Sequence, residues 1–259
     1  MSNDLVTVAQ PSDGVALVTI DRPDRLNALS MPTITALKEA FGVLGSDPDV
    51  RVIVITGAGR AFSAGLDLKD VGSSPVTDGL RGVAAGMRGQ EYFGDVVQRI
   101  RATPQPVIAA INGVAVGGGL AIAGACEIRV AVRSARFNVQ ALRMGLSAGE
   151  TGLSWHLPRL APAGIPFELL LTNRFFDADE AERIGLVQRL VDDDAPGGVV
   201  GAALEIAEGL AAHDRDALSL AKQIMWTNLT APSLDAALAL EASAWGRTWG
   251  TTSSTTGAA

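Results

Sequence analysis

Apolar and polar positions alternate along this chain in blocks that predict strands followed by helices. The segment "GVALVTIDRP" (14–23) is β-branched and closes on a proline, which predicts a strand. Ser30 then caps a helical pattern, "MPTITALKEAFGVL", with Pro32 in its first turn. "VRVIVITGAG" (50–59) is a continuous apolar run bounded by glycines, the pattern of a parallel strand buried on both faces. Residues 70–90 are rich in Gly, Ser and Pro and predict a loop, with a helix following at about 89–101 and stopped by "TPQP". "VIAAING" (107–113) predicts the next buried strand, and "GGGLAIAGACEI" a helix packed with small residues. From residue 166 onward helical pieces dominate, among them "VVGAALEIAEGLAAH", "DALSLAKQIMW" and "SLDAALALEASAWGR". Repeated strand–loop–helix units followed by a helical last quarter predict an α/β fold. The tail "TTSSTTGAA" carries no large apolar residue and predicts disorder over 251–259.

Composition narrows the picture. At 259 residues, 47% of them hydrophobic, the chain is long enough for one large core. The net charge is −7, and no Lys/Arg run exceeds two, so neither nucleic acid nor an anionic membrane is an expected partner. Any anionic ligand must be held locally. Cys126 is the only cysteine, and the histidines are just His156 and His213. A disulfide framework and a metal site are therefore not expected, and a reducing cytoplasm is the expected location. The start "MSNDLVTVAQ" shows no pattern of a signal peptide.

Three stretches carry candidate chemistry. "TGAGRAF" follows a strand and contains G-x-G, but Phe62 stands where a dinucleotide fingerprint needs its third glycine. "GLSAG" (145–149) matches the G-x-S-x-G pattern of a serine hydrolase elbow around Ser147. Its setting is weak: no HGGG-type segment exists, His156 comes only nine residues later, and His213 lies in a regular helical pattern. "FSAGLDL" (62–68) and "NGVAVGGGLAIAGAC" (112–126) make sense together. Both follow buried strands, and glycine lets backbone approach a ligand closely. The second opens a helix at its glycine triplet, where first-turn N–H groups are free. Two such N–H groups meeting on one oxygen form an oxyanion hole. The plainer reading is that the glycines serve tight packing.

Over some 200 residues the chain resembles the enoyl-CoA hydratase/isomerase (crotonase) family. The likeness runs through "LVTIDRPDRLNALS", "VRVIVITGAGRAFSAGLDLKD", "VIAAINGVAVGGGLAIAGACEIRVA" and "LLLTNRFFDADEAERIGLVQRLV". The resemblance implies a crotonase-like spiral of ββα units over residues 1–195 and a helical region over 196–250 that builds a homotrimer or a hexamer of two trimers. It implies an acyl-CoA thioester as substrate, with CoA part of that substrate and no separate cofactor. On the family pattern the oxyanion donors are the backbone N–H groups of Leu66 and Gly118. Ala64, Leu66, Asp67, Leu68 and Lys69 would line the CoA groove, and Arg25 would reach a CoA phosphate.

The chain departs from a hydratase at both glutamates that activate water. One belongs three residues after the middle glycine of the triplet, where this chain has Ala121. The other belongs four residues after Phe137, where it has Ala141. Neither alanine can move a proton. Glu127, six positions past Ala121, reads as structural. Glu150, in "GETGLSW", is left as the acid/base, which favours double-bond isomerisation over hydration; Ser147 then reads as a turn residue. The alternatives are an acyl-CoA-binding paralogue without hydratase activity and a serine hydrolase at Ser147.

Overall fold

The computed structural model describes residues 2–3, 5–67, 69, 75–145, 147 and 150–255, with backbone alone at 2, 3, 75, 144, 150 and 247–255. A first hairpin pairs β1 (Ser2–Asn3), β2 (Val6–Ser12) and β3 (Val15–Ile20) antiparallel. Helix α1 (Met31–Ser46) begins where expected: the Ser30 hydroxyl accepts from Thr33 N, and Pro32 sits in the first turn. Three units of one kind follow. Strands β4 (Val52–Gly57) and β5 (Ala61–Ser63) precede α2 (Gly82–Ala102); β6 (Val107–Ile111) and β7 (Val114–Val116) precede α3 (Gly118–Ala125); β8 (Ile128–Val132) and β9 (Arg136–Asn138) precede α4 (Leu153–Leu160). The chain continues through α5 (Gly164–Thr172), β10 (Phe176–Asp177), α6 (Ala178–Arg183), β11 (Arg189–Val191), α7 (Gly198–Ala211), α8 (Arg215–Asn228) and α9 (Leu234–Thr255).

In each unit the first strand joins one sheet and the second joins another. The larger sheet has the order β1-β2-β3-β4-β6-β8-β11 and is parallel from β3 onward; the smaller has the order β10-β9-β7-β5. Such a step, repeated, winds the chain into the expected α/β spiral. Strands β4 and β6 are buried along their whole length, which is why they read as unbroken apolar runs rather than alternating ones.

Four elements differ from the sequence expectation. Helix α2 starts at Gly82, seven residues before position 89, because its first two turns carry no apolar stripe: Val83 and Met87 are exposed. Strand β11 joins the large sheet within a stretch that reads as helical. Helix α7 packs on β4, β6 and β8 through a buried face of Val199, Ala203, Ala207 and Ala211, so it belongs to the core and not to a separate region beginning at 196. Only α8 and α9 lie outside that layer, and α9 runs on to Thr255, past the start of the segment expected to be disordered. Among the described residues, no helix is long and apolar enough to cross a membrane.

Candidate active site

Two loops, one from each of two successive units, meet at the edge of the small sheet. The first leaves β5 as Ala64-Gly65-Leu66-Asp67 and pairs with the segment before α1. Ala64 N donates to Leu26 O (2.9 Å), Leu29 N to Gly65 O (2.7 Å) and Asp67 N to Leu29 O (3.0 Å). This parallel bridge between Leu29 and Leu66 spends the groups on either side of Leu66 and turns the Leu66 N–H to the other edge. The second loop leaves β7 and starts α3 at Gly118, with Gly117 N bonded to Asn138 O (2.9 Å).

The glycines are what let these loops touch. Gly65 has φ +84°, and a Cβ there would lie 2.6 Å from Val116 O. A Cβ on Gly119 would lie 2.5 Å from Ser63 O, and one on Gly118 would lie 3.0 Å from Leu29 Cδ1 and 3.9 Å from Leu66 N. Packing therefore accounts for Gly65 and Gly119, as the plainer reading holds. It does not account for the N–H groups of Leu66 and Gly118, neither of which finds an acceptor among the described residues. Gly118 is the first residue of α3, so its N–H has no helical partner by construction.

The scaffold behind the first loop includes side chains that sequence reasoning passed over. Asn27, fully buried at φ 56°, accepts from Arg22 N (2.9 Å) through Oδ1 and donates through Nδ2 to Ala61 O (2.6 Å) and Ala58 O (2.9 Å). Ser63 Oγ donates to Asn27 O (2.8 Å) and accepts from Gly65 N (3.2 Å). Asp67, 4% exposed, accepts from Arg22 (3.0 Å), Arg25 (3.3 Å) and the Lys69 N–H (3.3 Å). Burial pushes its carboxyl up, but the Arg22 and Lys69 hydrogen bonds and the charges of Arg22 and Arg25 outweigh that and hold it below the usual carboxylate range. An asparagine beside a left-handed leucine in "RLNAL" is the one signal that points to this scaffold.

Other predicted residues fall as follows. Arg25 is 40% exposed and points toward Asp67, so the cation expected to meet a phosphate is shared with this carboxylate. Ala64 is half-buried, Lys69 is exposed, and Leu68 lies outside the described residues. Ala121 sits fully buried in α3, and Ala141 is buried at the start of a 3-10 turn (Ala141–Met144). Glu127 is structural: Oε1 accepts from Trp226 Nε1 (2.7 Å), and Oε2 accepts from Val107 N (2.8 Å) and pairs with Lys222 (3.1 Å). The Glu150 backbone opens a short 3-10 turn (Glu150–Gly152) ahead of α4; its side chain lies outside the described residues.

The two rejected motifs fail for visible reasons. The turn at Gly57–Gly59 leads into strand β5, not into a helix, so no phosphate can sit on a helix N-terminus there. Ser147 is exposed and outside any helix or strand, and what precedes it is the 3-10 turn, not a strand. His156 is buried against Gly124 and Gly152, and His213 is exposed beyond α7. On α2, Glu91 pairs with Arg88, and Asp95 reaches across to Lys38 of α1 (2.7 Å).

A spiral of ββα units with two glycine-lined loops at one sheet edge defines the crotonase class of enzyme folds. A probable enoyl-CoA hydratase/isomerase from Mycobacterium abscessus superposes with a TM-score of 0.85 at 39% identity, over 93% of this chain and 88% of its own. A monofunctional enoyl CoA isomerase from M. smegmatis superposes with a TM-score of 0.75 at 37% identity, over 91% of this chain and 99% of its own. In sequence, the probable enoyl-CoA hydratase echA12 of Mycobacterium bovis is 42% identical over 237 residues, 92% of this chain and 82% of that protein. The profile of the family described as Enoyl-CoA hydratase/isomerase matches residues 10–259. The chain is an enzyme of the enoyl-CoA hydratase/isomerase family.

Proposed function

We propose that this enzyme moves the double bond of an enoyl-CoA thioester and does not hydrate it. The N–H groups of Leu66 and Gly118 hold the thioester oxygen. Glu150 removes a proton from carbon 2 of a 3-enoyl chain, and the electron pair runs onto the held oxygen as a dienolate. The same carboxyl returns the proton at carbon 4, and the double bond settles between carbons 2 and 3. Atoms balance with no added water, metal or redox partner.

One observation carries this reading: two unspent N–H groups on adjoining loops, with alanine at both positions where the family's hydratases place glutamate. The likeness to a protein itself named a monofunctional isomerase supports it. Arg25, backed by Arg22, and the backbone from Ala64 to Lys69 are the elements that receive the CoA portion on this reading. Self-association as a trimer or a dimer of trimers is supported by the apolar side chains left exposed on α8, on α9 and between them, Met225, Leu229, Leu234, Leu238 and Trp245. Sedimentation velocity measures it directly.

The activity test follows 2-enoyl-CoA and 3-enoyl-CoA by absorbance and NMR with wild type and Glu150→Gln. Conversion of the 3-enoyl substrate that is lost in Glu150→Gln supports the proposal. Hydration of the 2-enoyl substrate at a comparable rate contradicts it, and tight binding without turnover favours the binding paralogue.

A further inference from the structure

Away from these loops, α2, α4 and α8 bring together an excess of positive charge on an acidic protein. The Arg101 guanidinium lies over two adjoining indoles, 3.5 Å from the Trp226 ring centre and 4.7 Å from that of Trp155, whose centres are 5.8 Å apart. Arg159 also stacks on Trp155, at 4.0 Å. Among the described residues neither arginine has a carboxylate within ion-pair distance, and Arg101 Nη1 and Arg159 Nε are buried with no hydrogen-bond partner. Glu127, the nearby carboxylate, is already held by Lys222, Trp226 and Val107 N.

Stacking on an indole satisfies the face of a guanidinium but not its N–H edge, and a buried donor left unpaired is unfavourable. Arg101 also lines a cleft of about 610 Å³ whose other walls include Gln98, Thr151, Gly152, Trp155 and His156. A second cleft of about 380 Å³, bordered by Lys222 and Trp226, adjoins it through Arg101 and Ala102. Burial and the charges of Arg101, Arg129 and Arg159 push the His156 imidazole down to about 4, so at neutral pH it adds a polar wall and no charge.

We propose that the cleft between α2 and α4 is an oxyanion-binding site in which Arg101, aligned by Trp155 and Trp226, takes a carboxylate or phosphate group of an organic ligand. Two sources share that chemistry. One is a free organic acid, which would rest against the turn that carries Glu150. The other is the acidic far end of a dicarboxylyl-CoA chain, a source that rests on the proposed function above.

The test reads tryptophan fluorescence of the full chain at constant ionic strength. The probes are sodium glutarate, sodium phosphate, neutral glutaramide, and glutaryl-CoA against butyryl-CoA. Arg101→Met keeps an apolar stem against the indoles and removes the charge. Gly94→Leu fills the cleft from α2, where an added side chain meets no atom within 4 Å of its Cβ, and leaves every charge in place. The expected result is a saturable response to glutarate or phosphate, none to glutaramide, and at least tenfold weakening in both variants with unchanged circular dichroism. If glutaryl-CoA alone responds, binding at least tenfold tighter than butyryl-CoA by a margin that vanishes in Arg101→Met, the acyl chain is the source. The proposal is overturned if no acidic probe gives a saturable response. It is also overturned if Gly94→Leu responds like wild type, whatever becomes of Arg101→Met. Should no CoA thioester bind at all, the proposed function fails while the free-acid arm still decides this site.

Discussion

On the proposed function the Leu66–Gly118 edge and the segment 141–152 face different demands, and they are built differently. The first is backbone, tied by the Leu29 bridge, Asn27, Ser63 and the paired charges around Asp67. The second passes through two short 3-10 turns with Gly145, Thr151 and Gly152 all at positive φ, and on the proposed function its chemistry rests on one side chain, Glu150. The contrast teaches a division of labour. Holding an oxygen needs donors fixed in advance, which a packed backbone supplies without any particular side chain. Moving a proton needs a titratable group, which neither Ala121 nor Ala141 supplies.

The comparison breaks most severely at Gly118→Pro. Proline is tolerated at the first position of a helix, and its Cβ would meet only the end of the Leu29 side chain at 3.0 Å, so α3 should persist while one proposed oxyanion donor disappears. Turnover should fall by about 10²–10³, with circular dichroism unchanged. Glu150→Gln comes next: isomerisation should drop by about 10²-fold or more, while the affinity for a saturated acyl-CoA, measured by calorimetry, holds within about twofold.

A smaller effect concerns acid stability. The His156 pKa is lowered in the fold to about 4 from 6.5, so between those values the unfolded chain binds more protons than the folded one. The fold is therefore fully favoured above pH 6.5 and loses stability as pH falls toward 4, by at most about 1.4 kcal/mol per pH unit from this group. His156→Leu should flatten that slope in urea melts. Ser147→Ala should change turnover least, within about twofold, since its hydroxyl is exposed and outside any elbow.

The sequence made the paired loops legible because close backbone approach demands glycine, and Gly65, Gly118 and Gly119 mark it. Buried strands β4 and β6 were equally plain as apolar runs. The start of α2 was hidden because an exposed helix has no stripe to show, and β11 because three residues are too few for a period. Arg101 over its two tryptophans was illegible for another reason: the three residues come from α2, α4 and α8, and only the fold makes them neighbours.

The central claim is that two backbone N–H groups polarise a thioester carbonyl. Difference infrared spectroscopy of a bound, carbonyl-¹³C-labelled acyl-CoA tests it without requiring turnover. The account predicts a carbonyl band shifted to lower frequency than in water for wild type and for Glu150→Gln, with part of the shift lost in Gly118→Pro. A bound carbonyl at its aqueous frequency, or one indifferent to Gly118→Pro, would contradict it.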